Sequence, residues 1–306
     1  MSETCLTGAA TAQPCAGAMD GHGLPPGDPA CASPTALLDR LDRVADHWRT
    51  PLGPAGSMAW RGWGQGRPLV LLHGWAGSWR HWARNLPTLS RHHRLLVPDL
   101  PGQGDSDLLP DPVTRSDIAR AVLQGLDATI GPQGHFALCG FSFGGAVAGM
   151  LAAQAESRIE QLLLVAPGGF DIVARPPATV RVRGLPAAER PAAHRHNLQA
   201  LMFADPRRID PLALEIQERN TRQLRAQRVA REPRLLQAAI AGLRLTPHFL
   251  WGARDNFCGD RIGTYLATAR ALRPRDAEIL LIEGAGHWVA YEAAAEFEAA
   301  LLRRLA

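Results

Sequence analysis

Six short runs constrain this chain more than anything else in it: 68-PLVLL-72, 94-RLLVP-98, 135-HFALC-139, 161-QLLLV-165, 247-PHFLW-251 and 278-EILLI-282. Each is apolar on both alternating faces and each runs into a turn containing Gly or Asp. A strand with two apolar faces has to be covered on both sides, which suits a parallel sheet between helical layers rather than a half-solvated antiparallel one. Segments of helical pattern lie between the runs, so the expected class is α/β, with a mostly parallel central sheet and helices on both faces. The alternation fails once. From Gly168 to about Leu245 there is no convincing strand, only Arg-rich helical pattern with several prolines, and this interval is expected to be an inserted helical lid. The resulting division is a flexible tail over 1–34, a first core part over 35–167, the lid over 168–245 and a second core part over 246–306.

The tail assignment rests on composition, because its Ala, Gly, Pro and Thr offer almost no large apolar surface to offset the entropy of ordering. Ser33-Pro34 then supplies an N-cap with proline at the first helical position, and Leu37, Leu38, Leu41, Val44 and Trp48 recur at helical spacing. With 306 residues, 46% of them hydrophobic, the chain can bury a core without a disulfide or a metal. All 33 basic residues are Arg, spread among 29 acidic ones for a net charge of +4. Nucleic-acid binders concentrate their basic residues on one face, so no nucleic-acid partner is expected. The five cysteines contain no C-x-x-C pair and leave one over, which points to a reducing compartment. Three of them, Cys5, Cys15 and Cys31, sit near His22, but their spacing fits no zinc pattern. No secretory signal and no run of membrane-spanning length is visible, so a cytoplasmic protein without a membrane partner, cofactor or metal is expected.

The chemistry concentrates at 140-GFSFGG-145, directly after the run FALC and before the helical segment AVAGMLAAQA. A bare G-x-S-x-G is weak in a glycine-rich chain, but strand-turn-helix context gives it meaning: Ser142 would project its hydroxyl at the carboxyl end of the sheet. Small residues at 140 and 144 are what such a turn demands. A serine hydroxyl needs a base, and the base needs an orienting partner. Two later runs lead into suitable residues, 247-PHFLW-251 into Asp255 and 278-EILLI-282 into His287.

Taken together, His73-Gly74-Trp75, 99-DLPGQGDSD-107, the 140–145 elbow, 251-WGARD-255 and 284-GAGHW-288 resemble the α/β-hydrolase superfamily, in family order from about Met58 onward. The resemblance implies Ser142 as nucleophile, His287 as general base and then acid, and Asp255 as its orienting carboxylate. It also implies an oxyanion hole made by the backbone N–H groups of Trp75 and Phe143. Rivals for the acid are Asp260, as a helix cap, and Asp171. His73, His81, His92, His93, His135, His194, His196 and His248 compete with His287, most of them as surface or strand residues. Trp75, Trp79 and Trp82 either line an apolar pocket or pack the helix that follows. In the lid, Arg219, Arg222, Arg225, Arg228 and Arg231 recur every third residue and are expected to be mostly solvated, with one of them or Arg195 reaching a substrate carboxylate as the sharper reading.

A serine at the elbow argues against the aspartate-nucleophile branches of the superfamily. The expected activity is hydrolysis of a small carboxylic ester through an acyl-enzyme. The chain is similar both to small carboxylesterases and to meta-cleavage product hydrolases, which cut carbon-carbon bonds. The latter usually carry a Ser-Gly-Pro-Gly oxyanion segment where this chain has Trp75-Ala76-Gly77-Ser78. Perhydrolysis and a non-catalytic ligand receptor on the same fold are the remaining alternatives.

Overall fold

The computed structural model describes residues 33–53, 56–170, 172, 177–225, 227–230, 232, 234–272 and 277–306. Eight strands form one sheet: β1 (Asp46–Pro51), β2 (Ser57–Trp63), β3 (Pro68–Leu72), β4 (Arg94–Pro98), β5 (Phe136–Phe141), β6 (Ile159–Val165), β7 (Pro247–Gly252) and β8 (Ile279–Ile282). Their order is β1-β2-β4-β3-β5-β6-β7-β8. β2 runs antiparallel to both its neighbours, and every other pairing is parallel. The helices are α1 (Pro34–Arg43), α2 (Leu86–Leu89), α3 (Arg115–Ile130), α4 (Phe143–Ala155), α5 (Arg190–Leu201), α6 (Pro211–Gln223), α7 (Leu235–Ala241), α8 (Ile262–Leu272), α9 (Val289–Glu292) and α10 (Ala294–Leu305).

All six apolar runs of the sequence are strands, and the two at the centre, β3 and β5, are almost wholly buried. The strand order dictates where the helices go. The connection from β3 through α2 moves to β4 on one side, whereas those after β4, β5, β6 and β7 all move the other way. Right-handed crossovers therefore put α2 on one face and α3, α4, α7 and α8 on the opposite one. The packing agrees, since α3, α4, α7 and α8 touch in that order and α10 packs on α2. α4 buries nine of its residues between this layer and the sheet, among them Val147, Met150 and Leu151. Connections leave β3 and β5 in opposite directions, so the carboxyl ends of these two strands mark the switch point, the position where open α/β sheets receive ligands.

Two strands were not legible as such. Trp48, expected on the first helix, lies in β1, because α1 ends at Arg43 and Asp46–Pro51 pairs with β2, setting Trp48 opposite Trp60. The two rings stack at 5.8 Å and the Trp48 Nε1–H donates to Thr129 Oγ1 at 2.9 Å. Strand pairing with a ring partner has overridden a helical spacing that the chain does not use. α1 itself starts as expected, with Ser33 Oγ accepting from the Ala36 N–H at 3.1 Å.

Between β6 and β7 lie α5, α6 and α7, and no residue of the interval belongs to a sheet strand among those described. α7 packs on α4, with Leu236 against Gly149. The expected arginine ladder is not one helix: α6 stops at Gln223, and the chain then runs back along 102–115, where the Arg225 N–H donates to Gly102 O and Val229 bridges Val113. Of the described arginines, Arg222, Arg225 and Arg228 are exposed as expected and Arg219 is half-buried; Arg219 bonds Asp39 and Glu215 at 2.7 and 2.8 Å, and Arg225 bonds Asp107 at 2.7 Å. Arg195 donates to Ile209 O within the insertion. The tail expectation for 1–32, with Cys5, Cys15, Cys31 and His22, lies outside the described residues, as do Asp171 and Arg231. No described helix is long and apolar enough to cross a membrane, and the described residues contain no group of side chains arranged to hold a metal.

Candidate active site

The turn between β5 and α4 is built by exclusion. A Cβ at Gly140 would stand 2.3 Å from Gly144 O, and one at Gly144 would stand 2.4 Å from Leu72 O, so neither position accepts a side chain. Ser142 between them sits at φ 52°, ψ −112°, a conformation that costs a non-glycine residue on the order of 1–3 kcal/mol. The backbone holds it there, with the Ser142 N–H donating to Val165 O at 2.9 Å and Ser142 O accepting from Gly168 at 2.9 Å.

Three side chains from separate loops meet at this point. His287 Nε2 lies 2.9 Å from Ser142 Oγ, and His287 Nδ1 lies 2.8 Å from Asp255 Oδ2. The other Asp255 oxygen accepts the N–H groups of Phe257 at 2.8 Å and Cys258 at 3.0 Å. A carboxylate engaged as an acceptor on both oxygens accepts a hydrogen bond from the Nδ1–H of the neighbouring imidazole, which leaves Nε2 free to accept from the serine hydroxyl. The imidazole is 3% exposed and lies between two rings, Phe257 stacked at 5.2 Å and Phe141 tilted at 5.2 Å. Of the rivals, Asp260 lies exposed in the turn before α8. His92, His135 and His196 are exposed, His194 bonds Glu218, and His248 accepts from the Glu278 N–H.

The loop after β3 reaches the same place. A Cβ on Gly74 would be 3.4 Å from Ser142 Cβ, and the Trp75 ring meets the Phe143 ring edge-on at 5.2 Å. Phe143 opens α4, so its N–H is among the helix donors that lack an intrahelical acceptor. The three loop tryptophans divide between the two expectations: Trp79 and Trp82 are fully buried packing residues, whereas Trp75 is 43% exposed beside Ser142.

This loop is held by a buried polar frame. His73 Nε2 accepts the Leu100 N–H at 2.9 Å and its Nδ1–H donates to Gly74 O at 2.8 Å, and His81 Nδ1 accepts from the Gly74 N–H. Burial pushes both imidazoles below the usual histidine range, so each stays a neutral hydrogen-bonding group. Asp99 Oδ1 accepts the Trp79 N–H at 2.8 Å, and its other oxygen bonds Arg61 at 3.1 Å. Arg61, buried on β2, also reaches Asp42 and Asp105, both at 2.5 Å. From the insertion, Asn220 accepts the Ser78 hydroxyl at 2.6 Å and Gln223 accepts from Arg80 at 2.8 Å. Asp99 and Asp105 belong to the 99–107 segment on which the resemblance rests, whereas Arg61 carries no local motif and was not legible in the sequence.

A sequence model described as the Alpha/beta hydrolase family matches residues 69–300. Over 252 residues, 78% of its length, the chain is 30% identical to the dihydrolipoyllysine-residue acetyltransferase component of the acetoin cleaving system of Pseudomonas putida. Over 105 residues, 34% of its length, it is 40% identical to the pimeloyl-[acyl-carrier protein] methyl ester esterase of Nitrosomonas europaea. These matches span 63% and 38% of the two relatives, less than two thirds of either. Among solved structures, the carboxylesterase CesB (YbfK) from Bacillus subtilis superposes with a TM-score of 0.71, covering 90% of this chain and 98% of its own at 16% identity, a likeness of fold.

Proposed function

The chain belongs to the Alpha/beta hydrolase family, and from that premise we propose that it is a serine esterase that transfers an acyl group from a small carboxylic ester to water. The observation that carries this reading is the 2.9 Å approach of His287 Nε2 to the hydroxyl of a serine held at positive φ. Ser142 Oγ attacks the ester carbonyl carbon while its proton passes to His287 Nε2. The carbonyl π pair moves onto oxygen, and the N–H groups of Trp75 and Phe143 receive that charge; preorganised donors of this kind lower a barrier by roughly 3–4 kcal/mol each. The tetrahedral intermediate collapses, the C–O bond to the alcohol breaks, and the imidazolium returns its proton to the departing alkoxide. Water then repeats the sequence on the acyl-enzyme, giving the acid and restoring the serine hydroxyl. Asp255 fixes the tautomer and stabilises the imidazolium.

The insertion over 168–245, with α5, α6 and α7, is the proposed lid, and the exposed Trp75 ring supplies an apolar wall for the acyl or alcohol group. The proposed partner is a small-molecule substrate.

The test combines labelling and turnover. A fluorophosphonate probe should label the parent chain and leave Ser142→Ala unlabelled, and the same substitution should reduce hydrolysis of p-nitrophenyl esters by at least 10⁴-fold. An unlabelled, folded parent would remove the enzymatic reading in favour of a ligand receptor. A vinylogous diketone assayed beside the esters separates the two bond classes: turnover of the diketone alone would replace the esterase by a carbon-carbon hydrolase.

A further inference from the structure

Glu292 closes α9 at 5% exposure, among the buried Val289, Ala290 and Tyr291. A carboxylate in such surroundings has to be matched, and three backbone N–H groups converge on it. Gly286 donates to Oε2 at 2.6 Å, Ala204 to the same oxygen at 3.0 Å, and Asp205 to Oε1 at 2.8 Å. Gly286 immediately precedes His287, whereas Ala204 and Asp205 follow α5 in the insertion. One carboxylate thus bolts the histidine loop to the base of the insertion.

The same turn is held from two further directions. The Trp288 N–H donates to Met202 O at 2.9 Å. Asn256, the neighbour of Asp255, donates through Nδ2 to Gln199 O and Phe203 O, both at 2.8 Å. The contact is close as well as bonded, since a Cβ on Gly286 would stand 2.5 Å from Ala204 N. Residues 199–205 therefore form a bracket to which the loops of both Asp255 and His287 are fastened.

We propose that Glu292 is a positioning residue for His287: it sets the imidazole through the Gly286 N–H and makes the base of the insertion part of the frame that aims Nε2 at Ser142. The proposal rests on the reading of His287 as the general base. Glu292 touches none of the reacting atoms, and its effect passes through the backbone. An amide cannot replace it, because three donors converge on two acceptor oxygens and an NH2 group would face one of them. Misplacing a reacting group by about 1 Å costs on the order of 10²-fold in rate, so a loosened histidine loop should appear in kcat rather than in substrate binding.

The experiment is Glu292→Gln in the full chain, read two ways. Steady-state hydrolysis of the best p-nitrophenyl ester should show kcat lowered about 10- to 100-fold with KM within about twofold of the parent. Proton NMR without substrate should show the downfield His287 Nδ1–H resonance of the parent broadened or lost, an effect that a remote stabilising residue would not have. Parent-like kcat together with a parent-like resonance, even with a lowered melting temperature, would overturn the proposal and leave Glu292 as a fold staple. If the parent itself hydrolyses no ester, the esterase reading fails and the resonance alone decides the role of Glu292. Should Glu292→Gln not fold, Glu292→Asp carries the test: its carboxylate is kept but withdrawn by one methylene from the three N–H groups, so kcat lowered at least threefold at unchanged KM supports the proposal, and unchanged kcat overturns it.

Discussion

Ser142 and Asp255 are fixed by bonds outside the Ser142–His287–Asp255 chain, and His287 is held through the neighbouring Gly286 N–H. Asp255 spends one oxygen on the N–H groups of Phe257 and Cys258, so its other oxygen is aimed at the imidazole without a search. Asp255→Asn should keep the bonds to 257 and 258 while turning an NH2 group toward Nδ1, which reverses the tautomer and leaves Nε2 with a proton of its own. The expected outcome is a native near-UV circular dichroism spectrum with kcat reduced on the order of 10⁴-fold; a loss of only a few-fold would mean that another group orients His287. At Gly144 the constraint is steric. A methyl group there meets Leu72 O and His73 O at 2.4 and 2.5 Å, and main-chain carbonyls in the central strand and its loop have nowhere to go. Gly144→Ala should lower stability by about 2–3 kcal/mol in urea titration. These residues were legible because the turn demands glycine at a fixed offset from the serine and because the acid and the histidine each follow an apolar run. Glu292 and Asn256 gave no such signal: their partners are backbone groups up to 88 positions away, and nothing in the side chain's own neighbourhood records them.

At the scale of elements, β2 matters beyond its place in the sheet. Through Arg61 it ties α1, the end of β4 and the 99–107 loop together around one guanidinium, and Asp99 passes that constraint to the loop after β3 at Trp79. Arg61→Met would leave the fully buried Asp99 without its cation, and breaking a buried pair from one side costs about 3–5 kcal/mol. A pH dependence follows. Burial raises the Asp105 carboxyl, but the Arg61 hydrogen bond and charge outweigh it and hold the group below the usual aspartate range. A depressed folded pKa contributes stability above the unfolded value of about 4 that is lost as the pH falls through the folded one. The parent should therefore lose stability between pH 5 and pH 3 in chemical denaturation, and Arg61→Met should lose less over that window; equal slopes would mean that Asp105 draws nothing from Arg61. The six parallel strands were readable because burial on both faces writes a continuous apolar run. β1 was not, because DHWRTP is mostly exposed and its one large apolar residue fell by chance at helical spacing from Leu41 and Val44. The arginines of the insertion left their partners unwritten for a related reason: a period of three says nothing about where the helix ends or which carboxylates, 180 residues away for Arg219 and Asp39, come to meet it.

Across the whole molecule, burial makes two of the cysteines silent. Cys139 on β5 and Cys258 beside Asp255 are almost fully buried, and burial pushes both thiols far above the ordinary range. Thiolate is the reactive form, so alkylation of these two positions by iodoacetamide should proceed only through unfolding, with a rate that rises in step with the unfolded fraction in urea. Fast modification of either in native buffer would reveal a local opening. The eight tryptophans divide just as sharply: Trp75 alone is exposed, set against Phe143 over the serine, while Trp48 is half covered and the remaining six are buried. That distribution gives the protein an optical gauge of its own. A molecule settling over the serine would strip water from one indole and leave the emission of the others untouched, so occupancy can be followed by a shift in fluorescence without any dye or chromogenic leaving group.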